Sequence, residues 1–341
     1  RRGTRFPSGT HFYPRCEVNE LTSSALDKRS SLRVRKGPLF YLKRDWLLYL
    51  LLLPGVAYFI LFKYLPIFGI IISFQNYKPF FGVSGIFTSE WFGLYWFRRF
   101  MSSYYFWRLM RNTFLLSFYS LLWSFPSAIL LALLINEIRT SWFKRTGQTI
   151  TYMPYFLSWV VVSYFLNAFL DAQYGMIPAM QEAAGHARTS WYTTPGPWPF
   201  ILTFANLWKN VGYSTVLYLA AITGIDTNQY EAAAIDGATK WDQIRYVTLP
   251  HLRTMICILF IMNVGKIFAA DFGLFYNVPM QNGALFSVTQ VIDTYIYRVL
   301  VTTGDISFSS AAGLLQNVIG FVCIMTANSI IKKLDPDSSL F

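Results

Sequence analysis

The sequence predicts an all-α, polytopic membrane protein, and three features of its 341 residues carry that expectation. Hydrophobic residues make up 54% of the chain, aromatics 19% and charged residues only 13%, which leaves too little polar surface for a soluble domain of this length. Six segments approach the roughly 20 mostly apolar residues that a helix needs to cross hydrocarbon. Lys and Arg are spread unequally between the two sides of those segments.

Taken in order, the segments run from Trp46 to Ile72, Thr113 to Ile135, Thr149 to Leu170, Phe200 to Ile222, Met255 to Tyr276 and Ala311 to Ile331. At about 1.5 Å per residue the first reaches roughly 40 Å, enough to tilt or to project beyond the bilayer, with Lys63 and Pro66 near its outer end. Pro126 predicts a kink in the second, because it removes a backbone donor. Between the fifth and sixth, Val288 to Val301 carries Val291, Ile292, Tyr295, Ile296 and Leu300 near helical spacing, which predicts a short interfacial or re-entrant helix. The expected organisation is a basic tail over 1–45, a six-helix membrane domain over 46–335 and a short tail over 336–341. No repeat of 20 to 50 residues is present, which excludes a solenoid. Small residues and aromatics suggest a bundle packed through Gly, Ala and Ser faces.

Residues 1–45 hold eleven Lys and Arg, and the other loops on that side add eight, against seven on the opposite side. The positive-inside bias therefore places both termini in the cytoplasm, and it accounts for the net charge of +12 without nucleic acid. Residues 1–24 show no periodicity, which predicts disorder or a segment foreign to the natural protein. The first apolar segment is too long for a cleavable signal and lacks a small-x-small site, so it should stay as an anchor. Cys16, Cys257 and Cys323 are too far apart for metal spacing or a disulfide framework. His11, His186 and His251 are scattered, and the chain lacks the zinc-protease, nucleophile-elbow and Walker phosphate-loop patterns. These absences argue against an enzyme and against ATP binding by that loop.

The most informative stretch is Glu231 to Pro250, EAAAIDGATKWDQIRYVTLP, within a cytoplasmic loop over 224–252. Asp226 and Gln229 are spaced as a capping box, Glu231 to Ala234 are strong helix formers, and Gly237 supplies a left-handed stop. Thr239 and Asp242 repeat the capping spacing, and Trp241, Ile244 and Val247 follow at three-residue steps. Pro250 is expected to end or kink that second helix. Two short helices around a glycine would form an L-shaped knob.

Glu-Ala-Ala, a Gly six residues after the Glu, nine further residues, then aliphatic-x-Leu-Pro resembles the signature loop of bacterial ABC-importer permeases. Here the pattern is Glu231, Ala232, Ala233, Gly237, Val247, Leu249 and Pro250, with Val in place of the usual Ile. Asn112-Thr113, Leu133 to Glu137, Met153 to Tyr155 and Tyr218 to Ala220 are similar to the carbohydrate-uptake branch, so the likeness spans about 45–335. Pro178, where that branch commonly has Asn after Gly-x-x, departs from it and leaves the outer end of segment three open. The resemblance implies that the knob docks in a cleft of a separate ATPase. Glu231 would be the charge that pairs with a basic group, Ala232 and Ala233 the small face, and Asp236, Gly237, Leu249 and Pro250 the rest of the contact. Trp241 or Tyr230 would be an apolar anchor, and packing of either aromatic against its own chain is the alternative. It further implies a second, similar permease, two ATPases that hold ATP and Mg, an extracytoplasmic solute-binding protein, surrounding lipid, and no cofactor on this chain. A secondary transporter or a scaffold with a borrowed loop is the competing class.

Polar groups within apolar segments cost roughly 2.5–3.5 kcal/mol each when ionisable and so point to function. They are Lys209 and Asn210 in the fourth segment, with Asn263, Lys266 and Asp271 in the fifth. Tyr213, Phe268, Phe272 and Tyr276 could offer flat faces to sugar rings. The structural alternative is a Lys209–Asp271 pair. Two lysines favour an acidic, uronate-type oligosaccharide such as an alginate fragment, the resemblance pointing the same way; a neutral oligosaccharide is the alternative. The aromatic loop from Asn76 to Arg111 is expected either to anchor at the lipid interface or to dock the binding protein.

Overall fold

The structure, a computed structural model, describes residues 44–334. The expectations for 1–43 and 335–341, Cys16 and His11 among them, lie outside the described residues. The chain divides into two units, 1–67 and 68–341. In the first, α1 (Trp46–Phe59) leads into a π-turn, Ile60–Tyr64, that contains Lys63. The continuous apolar helix runs from Trp46 to Phe74, and none of its most apolar 18-residue window is buried.

The second unit is helical throughout. Its elements are α2 (Tyr95–Met101), α3 (Phe106–Glu137), α4 (Ser141–Tyr152), α5 (Trp159–Leu170), α6 (Met176–Ala183) and α7 (Trp198–Thr223). They are followed by α8 (Thr227–Ile235), α9 (Lys240–Gly265), α10 (Phe272–Asn277), α11 (Ile292–Thr303) and α12 (Ile306–Leu334). Among the described residues the one β-type pairing is an isolated bridge between Gln75 and Trp91. The helix starting at Trp46, α3, α9 and α12 are long and apolar enough to cross a membrane, and the α4–α5 pair raises the number to five if it is one span. The remaining expected span, the fourth in order, is α7, which is 26 residues long but more polar because it carries Asn206, Lys209 and Asn210. At most 22% of the most apolar stretch of any of these four helices is buried, so the remaining apolar surface must meet lipid or protein.

Three departures from the sequence reading matter. The third segment is not straight: α4 and α5 meet at 99° across a 3₁₀ turn, Met153–Phe156, that opens on Pro154. Ser158 then caps α5 by accepting from Val161 N–H at 3.3 Å. The fifth segment does not reach Tyr276 as one helix; α9 stops at Gly265, residues 266–271 are irregular, and α10 restarts behind Asp271. The second helix of the loop is not a separate short element. It is the first turn of α9, continuous through a π-turn at Ile244–Thr248 in which Leu249 N–H bonds Ile244 C=O. That wider turn accommodates Pro250, which has no N–H to give. By contrast α3 runs through Pro126 as one helix, and the outer end of segment three is fixed at Leu170. There Asp171 caps the turn by accepting from Gln173 N–H and Tyr174 N–H, and α6 begins with Pro178 buried in its first turn.

Helix α7 is the hub: it packs on α3, on α4 with the bend that follows, and on α9 and α10. At the loop end its Tyr218, Leu219 and Ile222 bury against Ala128, Ala132, Ile135 and Leu252. At the other end Trp198, Leu202 and Ala205 bury against Leu116, Leu274 and Val278. A third cluster joins α2, α3, α11 and α12 through Phe100, Leu109, Ile292, Tyr295 and Phe308. The small-face packing expected from composition is most severe at Gly212, where a Cβ would lie 2.0 Å from the carbonyl oxygen of Thr151 in α4. Backbone cannot yield as a flexible side chain can. Gly212→Ala is therefore expected to destabilise the protein by roughly 1–3 kcal/mol through overpacking. Gly147→Ala, in α4 with open space around it, should be neutral or slightly stabilising. Thermal unfolding of the two variants in detergent checks the contrast; equal midpoints would reject the close contact.

Candidate functional site

Between α3, α7 and α9 lies a cavity of about 600 Å³. Its wall includes Asn210 and Tyr213 from α7, Asn263 from α9, and Lys266 and Asp271 from the break that follows. Five of the nine residues singled out for the pathway thus share one space. Lys209, Phe268, Phe272 and Tyr276 do not line it, and Phe268 is buried in the cluster of α2, α3, α11 and α12. Phe272 faces a second cavity of about 420 Å³ with Tyr297 and Asn317, and it stacks on Tyr276 at 4.9 Å between ring centroids. Lys209 is buried on the far side of α7, where its Nζ donates to the Tyr155 carbonyl at 2.9 Å and lies 5.1 and 5.2 Å from the rings of Tyr155 and Trp159.

That placement corrects the idea that two lysines face the pathway. Lys209 serves the bend between α4 and α5: a backbone carbonyl freed by the break needs a donor where lipid supplies none. Nor does it pair directly with Asp271. The carboxylate accepts instead from Trp159 Nε1 at 2.7 Å and caps α10 by accepting from Leu274 N–H at 3.3 Å. Trp159 thus links the two broken spans. Lys266, exposed at the wall, has no ion pair or side-chain hydrogen bond among the described residues, and is the cation free to meet a solute.

The wall also holds residues that a search for charges passes over. Ser117, Ser120 and Ser124 line it from α3, with Asn206 and Ser214 from α7 and Tyr155 from the bend. Spacings of three and four put the α3 serines on one helix face, a polar stripe within an apolar helix that periodicity could have disclosed. Tyr155 stacks on Tyr213 at 4.5 Å, giving the cavity a paired aromatic floor. Hydroxyls, amides, one free ammonium, one carboxylate and ring faces are the groups that hold a polyhydroxylated solute.

The loop is built much as its sequence implies. Asp226 caps α8 by accepting from Asn228 N–H at 3.0 Å, although Gln229 does not reach back to complete a box. Gly237 adopts φ +83°, with Ala238 N–H on Ala233 C=O and Gly237 N–H on Ala234 C=O, the paired bonds of a Schellman stop. Thr239 and Asp242 form the full capping box. Tyr230 turns inward, its hydroxyl 2.9 Å from Thr248 Oγ1, whereas Trp241 is 67% exposed and so is Tyr246, with Ile235 at 86%. Glu231, Ala232, Asp236 and Pro250 are exposed, and Ala233 and Leu249 half-buried. Glu231 has no ion pair among the described residues. Lys240 reaches Glu137 Oε2 at 3.8 Å, tying the loop to the end of α3.

A helical membrane domain whose polar cavity is walled by two broken spans, above a loop that exposes an acid and large apolar side chains, has the build of a transporter subunit. Residues 100–336 match the family described as binding-protein-dependent transport system inner membrane component, and the chain belongs to that family of transport permeases, which are not enzymes. It is 38% identical to Protein LplB of Bacillus subtilis (strain 168) over 296 residues, 87% of this chain and 92% of that one. It is 37% identical to the polygalacturonan/rhamnogalacturonan transport system permease protein YteP of the same organism, over 88% of this chain and 92% of that one. The fold is similar to a chain of a bacterial ABC transporter involved in the import of the acidic polysaccharide alginate, with a TM-score of 0.77, 33% identity, and coverage of 86% of this chain and 98% of that chain. A second structure, that of a bacterial alginate ABC transporter in complex with alginate pentasaccharide-bound periplasmic protein, matches with a TM-score of 0.76.

The two lysines should separate experimentally. Lys209→Met keeps the packing of the stem but orphans the Tyr155 carbonyl, at a cost of roughly 1–3 kcal/mol, and should lower the unfolding temperature. Lys266→Met removes a charge that faces open space and should leave that temperature unchanged. The reverse order of midpoints would assign the bracing role to Lys266.

Proposed function

We propose that this chain is the permease subunit of an ABC importer that carries oligosaccharides, acidic ones foremost, from a solute-binding protein into the cytoplasm. The observation that carries the reading is the polar cavity between α3, α7 and α9, joined by one continuous helix, α9, to an exposed Glu-Ala-Ala loop. The substrates named for YteP and for the alginate transporter support the acidic class, and Lys266 supplies the cation facing the cavity. Asp271 is already engaged by Trp159 and Leu274, so its charge is partly satisfied within the protein.

In this reading residues 46–335 form a six-span membrane domain with α7 as its fourth span, the tails 1–45 and 336–341 lie in the cytoplasm, and the basic asymmetry of the loops sets that orientation. Asn210, Tyr213, Asn263, Lys266 and Asp271 bind solute in passage, with Lys209 bracing the wall behind them and Phe272 belonging to the neighbouring cavity. The loop seats in a cleft of an ATPase, where Glu231 meets a basic group, Ala232, Ala233 and Gly237 allow close approach, and Trp241 is the apolar anchor. Asp236, Leu249 and Pro250 border that contact. A second permease completes the pathway and two ATPases supply ATP and Mg. Closure of the ATPases then drives rigid-body alternating access. Helix α9 is 26 residues long, about 39 Å at 1.5 Å per residue, so a displacement at Trp241 is carried through the π-turn at Ile244–Thr248 and along the helix to Asn263.

Glu231→Lys is expected to abolish the stimulation of ATP hydrolysis by loaded binding protein in reconstituted complexes, or to prevent the ATPase from copurifying. Full stimulation in the variant would sink the role of Glu231. Lys266→Met should reduce uptake of a uronate oligosaccharide about tenfold more than that of a neutral one of equal length, the scale of one charge-assisted hydrogen bond. Equal losses would move the assignment to neutral sugars.

A further inference from the structure

Three arginines at the end of the bundle remote from the coupling loop take no part in the cavity. Arg108 and Arg111 lie in the first turns of α3, and Arg298 in α11. The Arg108 guanidinium stands 4.9 Å from the Tyr105 ring centroid and donates to Gln290 Oε1 at 3.2 Å, while its Nε is buried without a hydrogen-bond partner. Arg111 donates to Asn112 Oδ1 at 3.2 Å, and the Arg298 guanidinium carbon lies 4.3 Å from the Phe286 ring centroid. Burial disfavours the charged form of Arg298, and the nearby Arg108 charge adds to it.

None of the three has a carboxylate partner among the described residues, although Arg99 close by has Asp305 at 3.4 Å. Like charges gathered with neutral acceptors and ring faces leave N–H donors without a partner in the chain, most openly on the exposed Arg111. The positive-inside bias makes such a gathering on the outer side unexpected unless it has a use. Beside it, Tyr104 is 89% exposed and Trp107 78%. Arg, Tyr and Trp are the residues that dominate protein–protein hot spots.

We propose that Arg108, Arg111 and Arg298, with Tyr104 and Trp107, form a docking surface for a carboxylate-bearing patch of the extracytoplasmic solute-binding protein. The proposal rests on the importer reading and its orientation. Guanidinium groups are shaped for bidentate carboxylates, and ring contacts restrain those of Arg108 and Arg298. Tyr104 precedes α3, in the exposed turn after α2.

The test uses the assembled importer in lipid nanodiscs, with the binding affinity of the loaded solute-binding protein measured at low and high salt. R111E, at an exposed position, should weaken binding about tenfold, the triple R108Q/R111Q/R298Q variant more, and both should flatten the salt dependence. Unchanged affinity and salt dependence in R111E would overturn the surface even if the triple variant fails to assemble. A loss that appears only in discs containing anionic lipid, and not in zwitterionic ones, would assign the arginines to headgroups and overturn it as well. Copurification of the ATPase is scored in every sample: an unmutated complex that retains its ATPase but binds no solute-binding protein rejects the docking partner, while absence of the ATPase rejects the importer reading itself.

Discussion

The arrangement depends on satisfying backbone that has been taken out of helices inside a lipid-facing domain. Two spans are broken, at Met153–Phe156 and at 266–271, and each break frees polar groups that hydrocarbon cannot serve. Lys209 donates to the Tyr155 carbonyl at the first. At the second, Asp293 of α11 accepts from Ala270 N–H at 3.0 Å and Gln316 of α12 donates to the Phe268 carbonyl, while Gln316 also donates to Asp293 at 3.0 Å. The two breaks are then tied to each other by Trp159 Nε1 on Asp271. Gly273 permits that tie, since a Cβ there would sit 2.4 Å from the Trp159 ring. A cavity between spans stays open only if its walls are held from behind, and these bonds hold them.

Much of this was legible in the sequence and some of it was not, for identifiable reasons. The loop could be read because its signals are local: an Asp cap, an Ala run, a left-handed Gly and a Thr/Asp box lie within a few residues of the groups they satisfy. The spans around α3 and α12 could be read because hydropathy sums over a window. The breaks were missed because Pro154 and the 266–271 stretch cost little hydropathy, and their compensating donors come from Lys209, Asp293 and Gln316, remote in sequence. The same blindness made Lys209 look like a solute ligand. An intramembrane charge marks a special demand, and here the demand is a carbonyl of the protein itself.

The cavity shows the complementary error. Charges drew attention, whereas Ser117, Ser120 and Ser124 supply much of the polar wall at no ionic cost. Ser124 Oγ is buried without a hydrogen-bond partner within the protein, a donor left for whatever occupies the cavity. One free ammonium among hydroxyls and amides suits passage better than a cluster of charges, because tight binding would hinder release.

The geometry also bears on how force could reach that passage. In α9 the π-turn at Ile244–Thr248 lies near the loop end, and the remaining helix runs straight into the wall at Asn263. A helix is stiff along its axis, so compliance is concentrated where hydrogen bonding is irregular. The π-turn is therefore the place where the loop can re-aim relative to the span, and the irregular 266–271 stretch is where the span can re-aim relative to α10. Between those two joints lies a rod whose ends are the two regions that transport must connect. Asp271, fixed to α10 by its cap and to α5 through Trp159, sits just past the second joint, so any tilt of α9 moves Lys266 against a carboxylate that stays with the opposite wall. Displacement of the loop would thus change the separation of the two charged groups in the cavity, altering the field a solute experiences as α9 carries Asn263 with it.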